Sequence, residues 1–204
     1  QGGDPGPYTA RGVFLGVKAA ARRALGVDTV KGVHVAIQGV GSVGGGLARY
    51  LAAEGAHLTL ADVDLAKAQS LAAELGGLAV DSSAILSVDA DIFSPCALGA
   101  IVTTQTANEL KVKAVAGGAN NQLATGPEGR ILSDRGILYA PDYVINAGGI
   151  INVMRVIENA DDAAVNARID EIPARLNAIW DRAEAEGDTP AEVADRMARE
   201  LIGR

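Results

Sequence analysis

Three glycines, Gly39, Gly41 and Gly44, spaced G-x-G-x-x-G, are the residues of this chain with the clearest chemical use. They follow a short apolar run, Val33 to Ile37, and precede a helical pattern, Leu47 to Glu54, closed by Gly55. Strand, glycine turn and helix in that order form a phosphate cradle. Gly39 permits the turn, Gly41 lets backbone approach a pyrophosphate, and Gly44 lets helix and strand pack closely. Val40, Ser42 and Val43 complete the loop, and the helix N-terminus offers unpaired N–H groups with partial positive charge. A second strand, His57 to Ala61, ends at Asp62, where the fingerprint needs an acceptor for the adenine ribose hydroxyls. A glycine-rich turn without a ligand is the alternative, and the second strand with its terminal carboxylate argues against it. The Asp62 charge would repel a 2′-phosphate, and Val63 beside it supplies no arginine, so NAD is expected to be preferred over NADP.

The ligand of an open α/β sheet lies at the carboxyl ends of the strands. After the fourth strand come Pro95, Cys96 and Ala97, and after the fifth Asn120 and Asn121. After the sixth come Pro141, Asp142 and then Asn146. This edge is rich in amides and poor in general bases. Lys18 and Lys67 lie on helices, while Lys31, Lys111 and Lys113 lie at the entering ends of strands. His34 falls inside the first strand and His57 at the start of the second, which suits structural roles. No histidine is placed to activate Cys96, so it reads as a small residue packed beside a turn. Asp142 follows a proline and reads as an Asx-type turn residue. No cluster has metal-ligand spacing. No residue of this chain is therefore expected to be catalytic, and no metal is expected.

The elements that must position these residues alternate. Gln1 to Pro7 reads as a linker, and Thr9 to Leu25 as a helix ended by Gly26. Asp64 caps a helix to about Glu74, closed by Gly76-Gly77. Leu78–Val80, Ile92–Phe93, Lys113–Ala116 and Ile137–Tyr139 read as further strands. Asp81–Leu86 reads as one helical turn, and Thr104–Leu110 and Gly126–Arg135 as helices. The prediction is a Rossmann-type α/β fold: a doubly wound parallel sheet of order 3-2-1-4-5-6 with extra C-terminal helices. Asn146 to Gly149 opens a helix through Met154. One long helix from about Asp162 to Ala185, kinked at Pro173, follows. Thr189 then caps a last helix with the stripe Val193, Met197 and Leu201. Residues 1–160 form the expected dinucleotide-binding domain, and 161–204 the terminal helices.

Composition narrows the class. Hydrophobic residues make up 49% but aromatics only 3%, so the core must be aliphatic and rich in alanine. A net charge of −7 and a pI of about 4.8 argue against non-specific nucleic-acid binding. One cysteine excludes an intrachain disulfide and suits a reducing, cytoplasmic compartment. No apolar run reaches membrane-spanning length. The chain starts at Gln1, not methionine, and its start looks cut from something longer.

Several segments resemble the glutamate/leucine/phenylalanine/valine dehydrogenase family, closest to its leucine and phenylalanine branch. They are Gly3-Asp4-Pro5 through Thr9, Gln38-Gly39-Val40-Gly41, Ser94 to Gly99, Gly118-Ala119-Asn120-Asn121 and Tyr139 to Gly149. The resemblance runs in order through nearly the whole chain. It implies oxidative deamination of an L-amino acid to a 2-oxo acid and ammonia, with hydride passing to NAD. By the same resemblance Thr9 would bond the nicotinamide carboxamide. Asn120 and Asn146 would orient the nicotinamide end and the substrate. Ile150 and Val153 would shape the side-chain pocket, where aliphatic residues suit an apolar amino acid. The family's two catalytic lysines and an aspartate belong to a preceding domain, one lysine in a Gly-Gly-Gly-Lys context, and nothing here matches them. The expectation is thus the cofactor half of a homo-oligomeric enzyme, its terminal helices returning to an N-terminal catalytic domain. A non-catalytic NAD-sensing module is the alternative. An S-adenosylmethionine methyltransferase fits less well, because its glycine turn faces no pyrophosphate.

Overall fold

In β1 (His34–Gln38) alternate residues serve opposite faces: Val35 and Ile37 enter one core, Ala36 the other. A strand used on both faces belongs in the middle of a covered parallel sheet. The computed structural model, which describes residues 4–203, places it there. The other strands are β2 (His57–Ala61), β3 (Leu78–Ala79), β4 (Ile92–Pro95), β5 (Ala114–Val115) and β6 (Leu138–Tyr139). The order is β3-β2-β1-β4-β5-β6, and every pair is parallel. This is the expected doubly wound sheet.

One face carries α1 (Gly6–Leu25), α2 (Ser42–Ala53) and α3 (Leu65–Leu75). The other carries a 3₁₀ turn at Ile85–Ser87, α4 (Thr104–Glu109) and α5 (Glu128–Asp134). Helix α3 starts as expected, with the Asp64 carboxylate accepting from Lys67 N. The C-terminal part holds α6 (Asp142–Ile145), α7 (Gly148–Glu158), α8 (Asp162–Asp170), α9 (Ile172–Glu186) and α10 (Pro190–Ile202). Ile169, Ile172, Leu176 and Trp180 join the core of the first face, so one side of these helices packs on the sheet's own layer. Trp180 Nε1 donates to Tyr139 O at 2.9 Å and pins α9 to β6. Gly12 and Gly16 make room on α1: a Cβ there would lie 2.8 Å from Ile172 Cδ1 and 2.4 Å from Ile145 Cγ1.

Four expectations need correction. The N-terminal linker is shorter than read: Gln1–Gly3 lie outside the described residues, and α1 begins at Gly6. Pro7 sits in its first turn, and Asp4 Oδ1 accepts from Gly6 N at 2.8 Å. The long helix over 162–185 is two helices meeting at Glu171. Pro173 lacks the N–H that would continue α8, and it sits instead in the first turn of α9. The helix read from Asn146 is preceded by the separate turn α6, and α7 starts at Gly148. Leu201 does not complete the buried stripe of α10; Val193 is buried and Leu201 is 88% exposed.

Glu128, at the start of α5, is buried although nothing in its local sequence sets it apart. Its carboxylate accepts from Thr125 N and Gly126 N at 3.0 and 2.8 Å and from Thr125 Oγ1 at 2.8 Å. Burial pulls its pKa up, but these donors outweigh burial and hold it below the usual glutamate value. A lowered folded pKa gives stability that is full above the unfolded value and lost as pH falls through the folded one. Glu128→Ala should lower unfolding free energy by about 1–3 kcal/mol at neutral pH. In urea melts the gap between variant and parent chain should shrink as pH drops below 4. A gap of equal size at pH 3 would contradict the ionised, bonded carboxylate.

Candidate functional site

Each fingerprint glycine meets different surroundings. Gly39 has φ +89°, and a Cβ on it would lie 2.5 Å from Ala97 Cβ. A Cβ on Gly44 would lie 1.9 Å from Gly39 O and 3.0 Å from Cys96 Cβ, so α2 starts in backbone contact with the strand edge. Gly41, the N-cap of α2, has an ordinary φ of −71°, and a Cβ there would meet nothing within 4 Å. The open side of the turn therefore lies at Gly41. No side chain caps α2, so its first N–H groups stay free for an anion. These residues fit a dinucleotide pyrophosphate.

Asp62 closes one end of the cradle. Its Oδ2 accepts from Val40 N at 2.8 Å and its Oδ1 from Asp64 N at 3.0 Å. Burial raises its pKa, but the amides of Val40, Asp64 and Val63 and the charge of Lys67 hold it below the usual carboxylate value. It is ionised at neutral pH. Each oxygen keeps a lone pair for a ribose hydroxyl. Ser42 and Val43 are tied down from other elements. Ser42 Oγ donates to Asp4 Oδ2 at 3.0 Å, and Val43 Cγ1 would lie 2.7 Å from a Cβ on Gly118. Val43 thus contributes backbone to the cradle while its side chain packs under the β5 loop.

The other strand ends complete the edge. Cys96 N donates to Gln38 O at 2.7 Å, and its thiol lies 3.5 Å from Ser94 Oγ. Burial pushes the Cys96 thiol up, which suits a packing role. Ala97 is exposed beside Gly39. Asn146 Nδ2 donates to Asn120 Oδ1 at 2.6 Å and reaches Gly118 O at 3.4 Å, so the two expected asparagines meet. Thr9 Oγ1 donates to Pro5 O at 3.0 Å and would lie 2.7 Å from a Cβ on Gly149. A Cβ on Gly148 would lie 2.2 Å from Tyr8 O, so α1 and α7 touch backbone to backbone. Ile150 and Val153 follow on α7, 61% and 51% exposed.

Two positioning residues take roles that the sequence alone does not assign. Asp4 joins the start of α1 to the start of α2, as above. Gln122 is fully buried, and its Nε2 donates to Gly117 O and Ala119 O at 2.8 and 2.9 Å, holding the loop that carries Asn120. Asp142 has a structural role but not the expected Asx turn, which would bond the amide two residues on: it opens α6, and Oδ2 accepts from the remote Gln122 N at 2.9 Å and Oδ1 from the adjacent Tyr143 N at 2.6 Å. His34 Nε2 bonds Thr59 Oγ1 at 2.8 Å within the sheet. Among the described residues no group of three or more His, Cys, Asp and Glu side chains could hold a metal. Nor is any helix there long and apolar enough to cross a membrane.

Comparison with known proteins adds to this geometry. Residues 59–198 match the profile of the Glutamate/Leucine/Phenylalanine/Valine dehydrogenase family. A leucine dehydrogenase of Bacillus cereus is 42% identical over 200 residues, covering 98% of this chain and 55% of that protein. A phenylalanine dehydrogenase of Bacillus thermotolerans is 41% identical over 206 residues, covering 98% of this chain and 54% of that protein. The crystal structure of L-tryptophan dehydrogenase from Nostoc punctiforme superposes with a TM-score of 0.94 at 40% identity, over 98% of this chain and 62% of that one. This chain spans about half the length of the curated relatives it matches.

The glycines make a testable contrast. Gly41→Ala should fold with unchanged stability, since its φ is ordinary and its Cβ side is open, yet weaken dinucleotide binding about tenfold by filling the cradle. Gly44→Ala should cost roughly 2 kcal/mol or more in a denaturant melt, because its Cβ meets a carbonyl. Equal loss of stability in both variants would contradict this division.

Proposed function

The chain belongs to the glutamate/leucine/phenylalanine/valine dehydrogenase family, and we propose that it is the NAD-binding part of an L-amino acid dehydrogenase acting on an apolar substrate. The observation that carries this is the line of groups along the sheet edge. The open Gly41 and free α2 amides suit a pyrophosphate, ionised Asp62 suits the adenosine ribose, and the joined Asn120 and Asn146 stand toward the other end. NAD, when bound, supplies the hydride acceptor for the substrate Cα. Thr9 gives a hydroxyl for the carboxamide, on the side of the edge where α1 meets α7. Asn146 Nδ2 is held by Asn120 and Gly118, and its carbonyl oxygen would be the group left to orient the nicotinamide end and the substrate. Ile150 and Val153 offer an apolar wall and no partner for a second carboxylate.

The reaction is the oxidation of an amine to an imine and its hydrolysis to a 2-oxo acid and ammonia. It needs a base within reach of the reacting carbon or its water. Asp62 and Asp142 each bond two backbone amides, and the asparagines do not titrate near neutral pH. In the proposed parent enzyme that base comes from an N-terminal catalytic domain. The outward sides of α8–α10 (161–204) pack on it, and the assembly is a homo-oligomer of a cytoplasmic enzyme. A non-catalytic NAD-sensing module is the second reading, favoured by the same bonding of both carboxylates.

These 204 residues should bind NAD, measured by calorimetry, and yield no NADH in a spectrophotometric assay with L-amino acids. Turnover by a homogeneous preparation would make Asp142 a base and overturn the division of labour. NAD failing to bind would overturn the cofactor reading.

In an enzyme containing this chain, leucine and valine should be used in preference to phenylalanine. The branched pair narrows the pocket, and one methylene more or less changes such discrimination by only about 1–3 kcal/mol, so the preference should be graded. Steady-state kcat/KM values test it; glutamate as best substrate would contradict the Ile150 and Val153 wall.

A further inference from the structure

A cavity of about 370 Å³ opens beside the glycine turn, between α2 and α3. Val40, Gly41, Arg49, Lys67, Ser70 and Glu74 are among its walls. Its two cations are in different states. Arg49 gives Nε and Nη2 to the two Glu74 oxygens, each at 3.0 Å. Lys67 has no ion-pair partner among the described residues, yet it shares the cavity with Val40, whose amide is bonded to Asp62. We propose that Lys67 sets how strongly this chain rejects a dinucleotide carrying a 2′-phosphate on its adenosine ribose. This deepens the NAD reading and rests on it.

Asp62 marks where the ribose hydroxyls would lie, and its carboxylate opposes a phosphate there. A second residue decides whether that opposition acts alone. Lys67 lies on the first turn of α3, five residues beyond Asp62, and Ser70 follows one turn later on the same wall. Both stand on the open side of Val40 and Gly41. An ammonium there, exposed and without an ion-pair partner among the described residues, offsets the Asp62 charge without bonding to it, and Ser70 adds a hydroxyl donor. Val63 supplies no arginine, and α3 supplies a lysine in its stead. The consequence is a graded preference for NAD that depends on salt, because the groups are exposed and screened.

The experiment is calorimetric titration of the 204-residue chain with NAD and with NADP, at low and high salt. It compares the parent chain with Lys67→Glu and Lys67→Arg. Position 67 is on an exposed helix surface, so both variants should fold, which circular dichroism checks. Lys67→Glu should weaken NADP binding about fivefold or more while moving NAD affinity by less than about twofold. Lys67→Arg should keep the parent ratio. High salt should bring the parent NADP affinity toward that of Lys67→Glu. Equal effects of Lys67→Glu on both dinucleotides, or no effect on NADP, would overturn the role of Lys67 and leave the NAD reading standing. If the parent chain binds neither dinucleotide, the cofactor reading falls and this inference with it.

Discussion

The approach of α2 to the sheet edge is the contact on which the rest depends. It is possible only because Gly44 has no Cβ; one there would sit 1.9 Å from Gly39 O. Similar contacts recur across the edge. A Cβ on Gly117 would lie 2.3 Å from Pro95 O, and one on Gly118 would lie 2.7 Å from Val43. The loops after β1, β4 and β5 are thus held to one another at backbone distance. Side chains between them would spread the loops and turn the α2 amides away from the anion. Such close packing leaves the proposed cradle little freedom to lose, so little ordering cost would attend binding.

Carboxylates do the remaining positioning. Parallel strands end in loops whose N–H groups have no ladder partner, and a buried unpaired amide is costly. Asp62 bonds Val40 and Asp64, Asp142 bonds Gln122 and Tyr143, and Glu128 bonds Thr125 and Gly126. One side-chain chemistry solves the same backbone problem after three different strands. For Asp62 and Glu128 the bonds also keep the acid ionised against burial. A carboxylate fixed in this way is a good acceptor and a poor proton shuttle. An edge so built orients a cofactor better than it moves protons.

The sequence was most legible where local pattern and tertiary demand coincide. The strand over His57–Ala61 has the expected bounds, and Gly26, Gly76 and Thr189 end or start helices as their chemistry requires. Legibility failed where the deciding partner is remote. The apolar stripe through Ile169, Ile172 and Leu176 continues past Glu171, so periodicity alone joins two helices that Pro173 separates. Leu201 keeps the spacing of a buried stripe although no neighbour covers it. Asp4 acquires its role from Ser42, thirty-eight residues away, and Lys67 from a cavity whose other wall is α2. Gln122 looks like an ordinary polar loop residue and Glu128 like an ordinary acid in the first turn of a helix, and only burial distinguishes them.

The apolar surface of α7 bears on which reading of the edge is better. Ile150, Val153 and Ile157 lie three and four residues apart on one helix face, all more than half exposed. This face begins at the crossing where Gly148 and Gly149 bring α7 against Tyr8 and Thr9, next to the bonded Asn146 and Asn120. The groups suited to the cofactor's reacting end and an open apolar face thus share one rigid element. A module that only sensed a dinucleotide would gain nothing from leaving branched side chains in water there, since exposed apolar area favours association. The proposed substrate pocket would account for both features. It needs an apolar wall at fixed distance from the nicotinamide, and a helix anchored at its first turn to the cofactor edge supplies that.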